Sequence, residues 1–574
     1  MKKKNKKTNK TSNTEKRPMP ISQESFSPRS SPNNTLVHIA CIVFIILIIY
    51  SNTLNAPFQW DEDLFLVRNP IVRDLHYFVN PSDARGFEYY NFLVLRYIGF
   101  LTFALNYKMH GFSVTGYHIV NIAIHVANSI LVYLLVLLTF RTPFFAKSSM
   151  KQNSLYIAFF SSMLFAVHPL QTMAVTYVFQ RVASLAAFFY LLSLTAYISS
   201  RLSVGKQQRL FYYSISFISA VLAMKTKENA FTLPLVITLY EFLFFRAALK
   251  SRMIPLALML LTMSIIPQTL IYLKGTAGAG IDPLPGYVSV VFSRPEYVLT
   301  EFRVIVTYLR LLFMPVNQNI DYDYPVFKSA FDPQVLLSFL LLFTLFGLGI
   351  YLVLRTEKKT WIKWKGLNTQ PAVHGIQSLS LSAESSALST EFRLISFGIL
   401  WFFITLSVES SLIPLTRLID EYRVYLPSVG ISIAVVTGAF LIKTRVHSLK
   451  AGKGILVMLV LVAGVLAIAT YRRNELWGDK IRLWEDTAKK SPGDVAVHNN
   501  LGGAYEDSNI PDKALEQFLI AVNLRPDIAE IHFNLGLAYY KTGQMEKARR
   551  ELIAGLKIKP DDQRAQQLLI KVSL

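Results

Sequence analysis

The chain has 574 residues, of which 52% are hydrophobic and only 17% charged, with a formal net charge of +22. A mean hydropathy of +0.36 is too apolar for an ordinary soluble domain, and several runs reach the roughly 18 to 20 apolar residues that cross a bilayer. Much of the positive charge lies in the N-terminal tail and in short loops between apolar runs, which is the pattern of a positive-inside membrane protein and argues against nucleic-acid binding.

Residues 1–34, beginning "MKKKNKKTNK" and rich in Lys, Asn, Ser and Pro, read as a disordered basic tail on the cytoplasmic side. No small-residue cleavage site follows the first apolar run, so that run is expected to stay as a span. The only cysteine, Cys41, lies inside it, which excludes an intramolecular disulfide. Eleven spans are expected, near 36–53, 117–139, 154–171, 181–199, 209–225, 229–246, 254–273, 334–355, 393–414, 424–443 and 453–471. They form an all-α, polytopic membrane domain over 35–473, with a large outer loop at 54–116. The segments 91–107 and 299–315 carry Arg at their centres and are expected to lie along the outer interface as amphipathic helices. In this threading the hairpin "KTKEN" (225–229) is basic although it falls outside, an exception to the charge rule.

After Arg473 the composition becomes soluble, and Pro492, Pro526 and Pro560 recur every 34 residues. His498 aligns with His532, Leu501 with Leu535, Gly502 with Gly536, Tyr505 with Tyr539 and Ala514 with Ala548. That is the tetratricopeptide pattern, in which small residues let paired helices approach and Leu and Tyr fill the space between. Residues 474–574 are therefore expected to be a small α-solenoid on the outer side, with "DDQRAQQLLIKV" as its cap. Asn500 and Asn534, equivalent positions of the two repeats, are candidate partner-binding residues.

Several ionisable groups fall at the outer ends of spans. "FQWDEDLFLV" places Asp61, Glu62 and Asp63 beyond the first span. "HPLQTMAVTYVFQR" contributes His168, Thr172 and Arg181, "MKTKENAF" Lys225, Lys227 and Glu228, and "EYRVYLPSVG" Glu421 and Arg423. Such residues are costly in a membrane and are functional candidates by default. "GYHIVNIAIH" adds His118, Asn121 and His125 at helical spacing, a stripe that fits either a site or helix–helix adhesion. An acidic group facing cationic ones suits transfer from a phosphate-linked donor, with a carboxylate taking the acceptor's proton and Arg or Lys holding the leaving phosphate. Ion-coupled transport would use the same charges, but the paired Gly/Pro-broken spans of many transporters are missing. No His, Asp or Glu set has ligand spacing specific enough to assign a metal.

The outer acidic pair, "YHIVNIAIH", "HPLQTMAV…QR", "KTKENAF", "DYDYP", "EYRVYLPSVG" and the terminal repeats, in that order, resemble the transmembrane and tetratricopeptide-repeat O-mannosyltransferases and their bacterial relatives, members of the GT-C glycosyltransferase superfamily. The resemblance covers essentially the whole chain after residue 36. It implies an inverting transfer of a mannose-like sugar from a polyprenyl-phosphate donor to a hydroxyl acceptor, a protein Ser or Thr, on the lumenal or periplasmic side. It also implies that Asp61 is the base and that Glu62 orients it or the acceptor. By the same resemblance Arg96 matches an Arg of the first outer loop, His168 the His-Pro motif, Arg181 the basic residue after it, and Glu421 with Arg423 the Glu-Arg of a late motif. Arg96, Arg181, Arg423 and Lys227 are the expected phosphate-side residues. This chain lacks the proline common after that Arg and has few repeats, which leaves the acceptor open. The expected partners are a lipid-linked sugar, a polypeptide at the repeats and membrane lipids. The lack of a disulfide pair and the Lys/Asn-rich tail fit a bacterial inner membrane better than an endoplasmic reticulum. A glycan ligase or flippase-type handler, or a non-catalytic scaffold presenting the repeats, are the other readings.

Overall fold

The computed structural model describes residues 32–146, 148–245, 249–276, 292–367, 377–410, 414–445 and 449–573. Residues 1–31, most of the expected basic tail, lie outside them. Among the described residues every regular element is a helix.

Seven helices are long and apolar enough to cross a membrane: Asn33–Thr53, Val114–Arg141, Val178–Leu202, Arg252–Leu273, Pro333–Arg355, Pro427–Arg445 and Gly452–Trp477. An eighth crossing is available if the bent pair Ser149–Ala166 and Pro169–Val175 is one span. The protein is thus a multi-pass membrane protein. The expected count was eleven. The three remaining segments are helical too, at Lys206–Met224, Leu233–Phe244 and Gln377–Leu406, but over the described residues none passes both the length and the apolarity requirement. The two Arg-bearing segments do not qualify as spans. Residues 91–107 break into Tyr90–Leu95 and Tyr97–His110, too short to cross at 1.5 Å per residue. The helix α1 (Arg294–Phe313) opens with a Ser293/Glu296 capping box and buries Tyr297, Glu301, Val304, Tyr308 and Leu311, a single face at spacings of three and four.

Sequence explains the break in the bent pair. Pro169 disfavours helical backbone at His168, which is extended (φ −75, ψ 131) and accepts a hydrogen bond from the Leu170 amide through its ring. The two helices are bent by 52° there. The stripe of His118, Asn121 and His125 is adhesive. Their side chains bond the carbonyls of Ala56, Val175 and Ala166 on other segments, and all three residues are buried.

Helices α2 (Gln377–Leu406) and α3 (Pro427–Arg445) pack along much of their length. They meet at Gly398 and Gly430, where a Cβ on either would run into the other's carbonyl oxygen. Close backbone approach through small residues is the usual route to tight packing in a membrane, where burial from water gives no drive between helices.

Beyond α4 (Leu449–Trp477) the chain forms six further helices, Val495–Asp507, Pro511–Leu524, Ala529–Lys541 and Met545–Ile558 among them. In both repeats the same bonds recur: His498 reaches Gln517 and the Pro492 carbonyl, His532 reaches Glu551 and the Pro526 carbonyl. Gly502 and Gly536 make room for Phe518 and Leu552 of the paired helix.

The repeats share a core with the outer loop. Trp477, Trp484 and Leu501 belong to the same buried cluster as Phe65, Phe103 and Phe179. Ser491 donates to the Asp321 carbonyl (2.8 Å) and accepts from the Asn319 side chain (2.9 Å) and the Asp323 amide (3.0 Å).

Replacing Gly430 by Leu is expected to force α2 and α3 apart and destabilise the protein, overpacking of a close contact costing about 1–3 kcal/mol. Thermal unfolding of the detergent-purified protein reads this as a lowered midpoint; an unchanged midpoint would mean that the glycine contact is not tight.

Candidate functional site

The acidic loop after the first span is held from several directions. Glu62 is 1% exposed. Its two oxygens accept from the Gln59 amide (2.6 Å) and the Phe179 amide (3.0 Å). Burial pushes this carboxyl up to about 8, with those amides pulling the other way. Gln59 in turn donates to the Trp477 carbonyl (3.1 Å). Between them Trp60 adopts a left-handed backbone, φ 52, a conformation that a bulky residue takes only when its surroundings enforce it. Its indole stacks on Tyr177 (5.9 Å between centroids), meets the edge of Trp484 (5.8 Å) and has the Arg417 guanidinium 3.6 Å above it.

Asp61 follows this strained residue and lines a cavity of about 620 Å³. One wall is the acidic loop, with Trp60, Asp61, Asp63 and Arg68; a second is the segments bearing Asp321, Asp323 and Arg417; the third is the repeat domain, with Asp494, Asn500, Arg525 and Glu530. Burial raises the Asp61 carboxyl to about 6; the Arg417 charge opposes the rise, and Asp420 adds to it. A carboxylate so placed is ionised at neutral pH yet more basic than one in water, as a general base requires.

Arg417 bridges two carboxylates, Asp321 (2.6 Å) and Asp420 (3.3 Å). Asp420 also accepts from Arg423 (2.8 Å) and from the Tyr422 hydroxyl (3.3 Å). Tyr422 lies under the Lys227 ammonium at 4.4 Å, and Lys227 pairs with Glu409 at 2.5 Å. Arg96 grips Glu228 through two bonds of 3.1 and 3.2 Å. Two charges of the hairpin that broke the charge rule, Lys227 and Glu228, are thus paired with Glu409 and Arg96, while Lys225 donates to the Thr269 hydroxyl. Arg417, Asp420 and Asp321 were not singled out from sequence, although Arg417, Asp420 and Arg423 recur every third residue in "RLIDEYR", a legible sign of a charge cluster.

Of the candidates from sequence, Asp61 and Asn500 reach the cavity wall, while Glu62, Arg96, His168, Arg181, Lys227, Glu421, Arg423 and Asn534 do not line it. Arg96, Lys227 and Arg423 share the adjoining network. Arg181 is 0% exposed and spends its donors on Asn121 (2.6 Å), the Tyr117 carbonyl (3.0 Å), Asn106 and the Thr102 carbonyl, so it ties helices together. His168 donates to the Leu312 carbonyl (3.0 Å) and fixes the end of α1. Glu421 accepts from the Asn319 amide, the Tyr322 hydroxyl and the Gln318 side chain. Asn534 donates to Asn499, itself a wall residue. Among the described residues no group of three or more His, Cys, Asp or Glu could hold a metal ion.

Tetratricopeptide-repeat profiles match residues 512–543 and 529–562. The chain is 24% identical over 498 residues to a protein O-mannosyl-transferase of Caenorhabditis elegans, covering 84% of this chain and 62% of that protein. It is 24% identical over 539 residues to the human protein O-mannosyl-transferase TMTC3, covering 86% of this chain and 52% of that protein. The chain therefore spans between half and two thirds of the length of these relatives. A crystal structure of ArnT from Cupriavidus metallidurans bound to undecaprenyl phosphate aligns over 91% of this chain and 80% of that one, at 14% identity and a TM-score of 0.36.

Asp420→Asn is expected to cost stability, since removing one partner of a buried ion cluster leaves charges unpaired, an effect of about 3–5 kcal/mol. The check is a lowered unfolding midpoint in detergent, with Asp63→Asn at the half-exposed Arg68 pair as the control that stays near native.

Proposed function

We propose that the chain, which is 24% identical over most of its length to two protein O-mannosyl-transferases, is a membrane glycosyltransferase of the GT-C type. It moves a mannose-like sugar from a polyprenyl-phosphate donor to a hydroxyl, that of a protein Ser or Thr, on the outer face of the membrane. The N-terminus is cytoplasmic, and the cavity and repeats are periplasmic in a bacterial inner membrane.

The observation that carries this reading is Asp61, a desolvated carboxylate on the wall of a cavity shared with the repeats. In the reaction Asp61 accepts the proton of the acceptor hydroxyl as its oxygen bonds to the anomeric carbon. The bond from that carbon to the phosphate oxygen breaks on the opposite face, and the polyprenyl phosphate leaves with the electron pair. One displacement inverts the anomeric centre. Glu62 does not face the cavity; it acts by fixing the turn that presents Asp61.

The charge of the wall distinguishes acceptor from donor. Asp61, Asp63, Asp321, Asp323, Asp494 and Glu530 face only Arg68, Arg417 and Arg525. Six carboxylates against three guanidiniums repel a phosphate and accommodate a neutral or basic polypeptide, with Asn500 available to hydrogen-bond its backbone. The donor phosphate is assigned to the adjoining network of Arg96, Lys227 and Arg423, where it would compete with Glu228, Glu409 and Asp420 for those cations. His168, Arg181 and Glu421 serve the framework.

The test is transfer from a panel of labelled polyprenyl-phosphate sugars in purified membranes. Asp61→Asn is expected to lower transfer by about 10²–10⁴-fold, the span of general-base contributions. The native rate is expected to fall as pH drops through about 6, where Asp61 gains its proton. Equal transfer by the native chain and a folded Asp61→Asn variant contradicts the reading.

A further inference from the structure

Arg417 packs on Trp60, the residue directly before Asp61. It lies on a segment without regular secondary structure, between α2 and α3. Its guanidinium is engaged on both forks and on its face: one nitrogen on Asp321 at 2.6 Å, another on Asp420 at 3.3 Å, and the plane 3.6 Å from the indole of Trp60. Arg417 itself lines the cavity beside Asp61. Trp60 is the residue whose left-handed backbone directs the turn into Asp61. A planar, delocalised cation can satisfy two carboxylates and stack on an aromatic ring together; an ammonium cannot.

Resting on the reading of Asp61 as the base, we infer that Arg417 is its positioning residue: held by Asp321, Asp420 and the Trp60 indole, it clamps Trp60 so that Asp61 faces the cavity that both line. Two carboxylates, Asp321 and Asp420, set how much of the charge reaches Asp61. Both are nearly buried, and both draw the guanidinium toward themselves. The groups acting on Asp61 come from each packed segment: Glu62 beside it in the loop, Tyr177 just after the bent helix pair, and Arg417 and Asp420 from the segment before α3. Asp63, Arg68, Asp321 and Asp494 share its cavity. Of these, Arg417 is the cation acting directly on Asp61. Trp60 accounts for the need for an arginine: a lysine keeps the charge and loses the stack. The arrangement also couples the base to two distant stretches of chain, since Asp321 belongs to the segment that Ser491 of the repeat domain grips. A shift of the repeats would reach Asp61 through Asp321 and Arg417.

The experiment follows Asp61 itself. Protein carrying ¹³C-carboxyl aspartate is titrated by infrared spectroscopy, and subtraction of the Asp61→Asn spectrum isolates the Asp61 carboxyl. Arg417→Gln is expected to move the Asp61 midpoint to higher pH than in the native protein, and the acid limb of the transfer rate with it. Arg417→Lys is expected to restore most of the midpoint while the maximal rate stays reduced, since the stack on Trp60 is lost. Asp321→Asn frees more of the Arg417 charge for Asp61 and is expected to move the midpoint the other way; it decides the matter if Arg417→Gln does not fold. An Asp61 midpoint unmoved in a folded Arg417→Gln or Asp321→Asn variant overturns the inference. If the native protein transfers no sugar, the functional reading fails, while the infrared titration still decides whether Arg417 governs Asp61.

Discussion

The polar half of this protein depends on Asp420. A single carboxylate, 2% exposed, holds Arg417 on one oxygen and Arg423 on the other, with the Tyr422 hydroxyl beside them. Its backbone is pinned as well, for the Tyr308 hydroxyl of α1 donates to the Asp420 carbonyl and accepts from its amide, both at 3.0 Å. Charges taken out of water survive only when paired and hydrogen-bonded, so once Asp420 is fixed the guanidiniums around it have little freedom. Arg417 then sets Trp60, and Trp60 sets the turn that exposes Asp61. Tyr422 carries the arrangement the other way, to Lys227, Glu409 and the hairpin that bears Glu228. An acidic loop near residue 61 and a basic hairpin near residue 227 are thereby joined.

The repeats complete the site instead of hanging from it. Trp477 and Trp484 enter the core of the outer loop, and Ser491 and Lys490 bond to the backbone of the segment around 318–323. The first repeat and the start of the second then form one wall of the cavity that Asp61 lines. A general base works only within hydrogen-bond reach of the proton it takes, so on the proposed reading an acceptor held at the repeat wall would already lie beside Asp61. Two repeats offer limited area, and the part between Asp494 and Ile531 lines the cavity with the carboxylate.

What the sequence disclosed follows from which interactions are local. Helical spans are legible because apolarity is a property of a continuous segment, and the repeats because a 34-residue period leaves Pro492, Pro526 and Pro560 in register. Pro169 marks its own kink. The roles of polar residues were less accessible, because each is decided by a partner far along the chain. Arg181 reads as a phosphate ligand until Asn106, Tyr117 and Asn121 are seen to occupy it. His168 reads the same way until Leu312 is found opposite its ring. Glu421 is saturated by residues about a hundred positions earlier. Asp61 stands out in the sequence as one of the few charges beside an apolar span, and it lines the cavity. Arg417 was passed over although its segment carried the signal, charges three apart, because a lone arginine in a loop is ordinarily a solvated one.

The central claim is that sugar meets acceptor in the cavity between the acidic loop and the repeats. The most direct measurement is photo-crosslinking with a polyprenyl-phosphate sugar that carries a diazirine on the sugar ring, followed by mass-spectrometric mapping of the labelled peptides in the native membrane protein. The account predicts label on the peptide containing Trp60 to Arg68 and on that containing Asp494 to Asn500, competed away by unlabelled donor. Competable label confined to peptides remote from these walls, such as the apolar groove formed by Cys41, Phe159 and Val460, would contradict it.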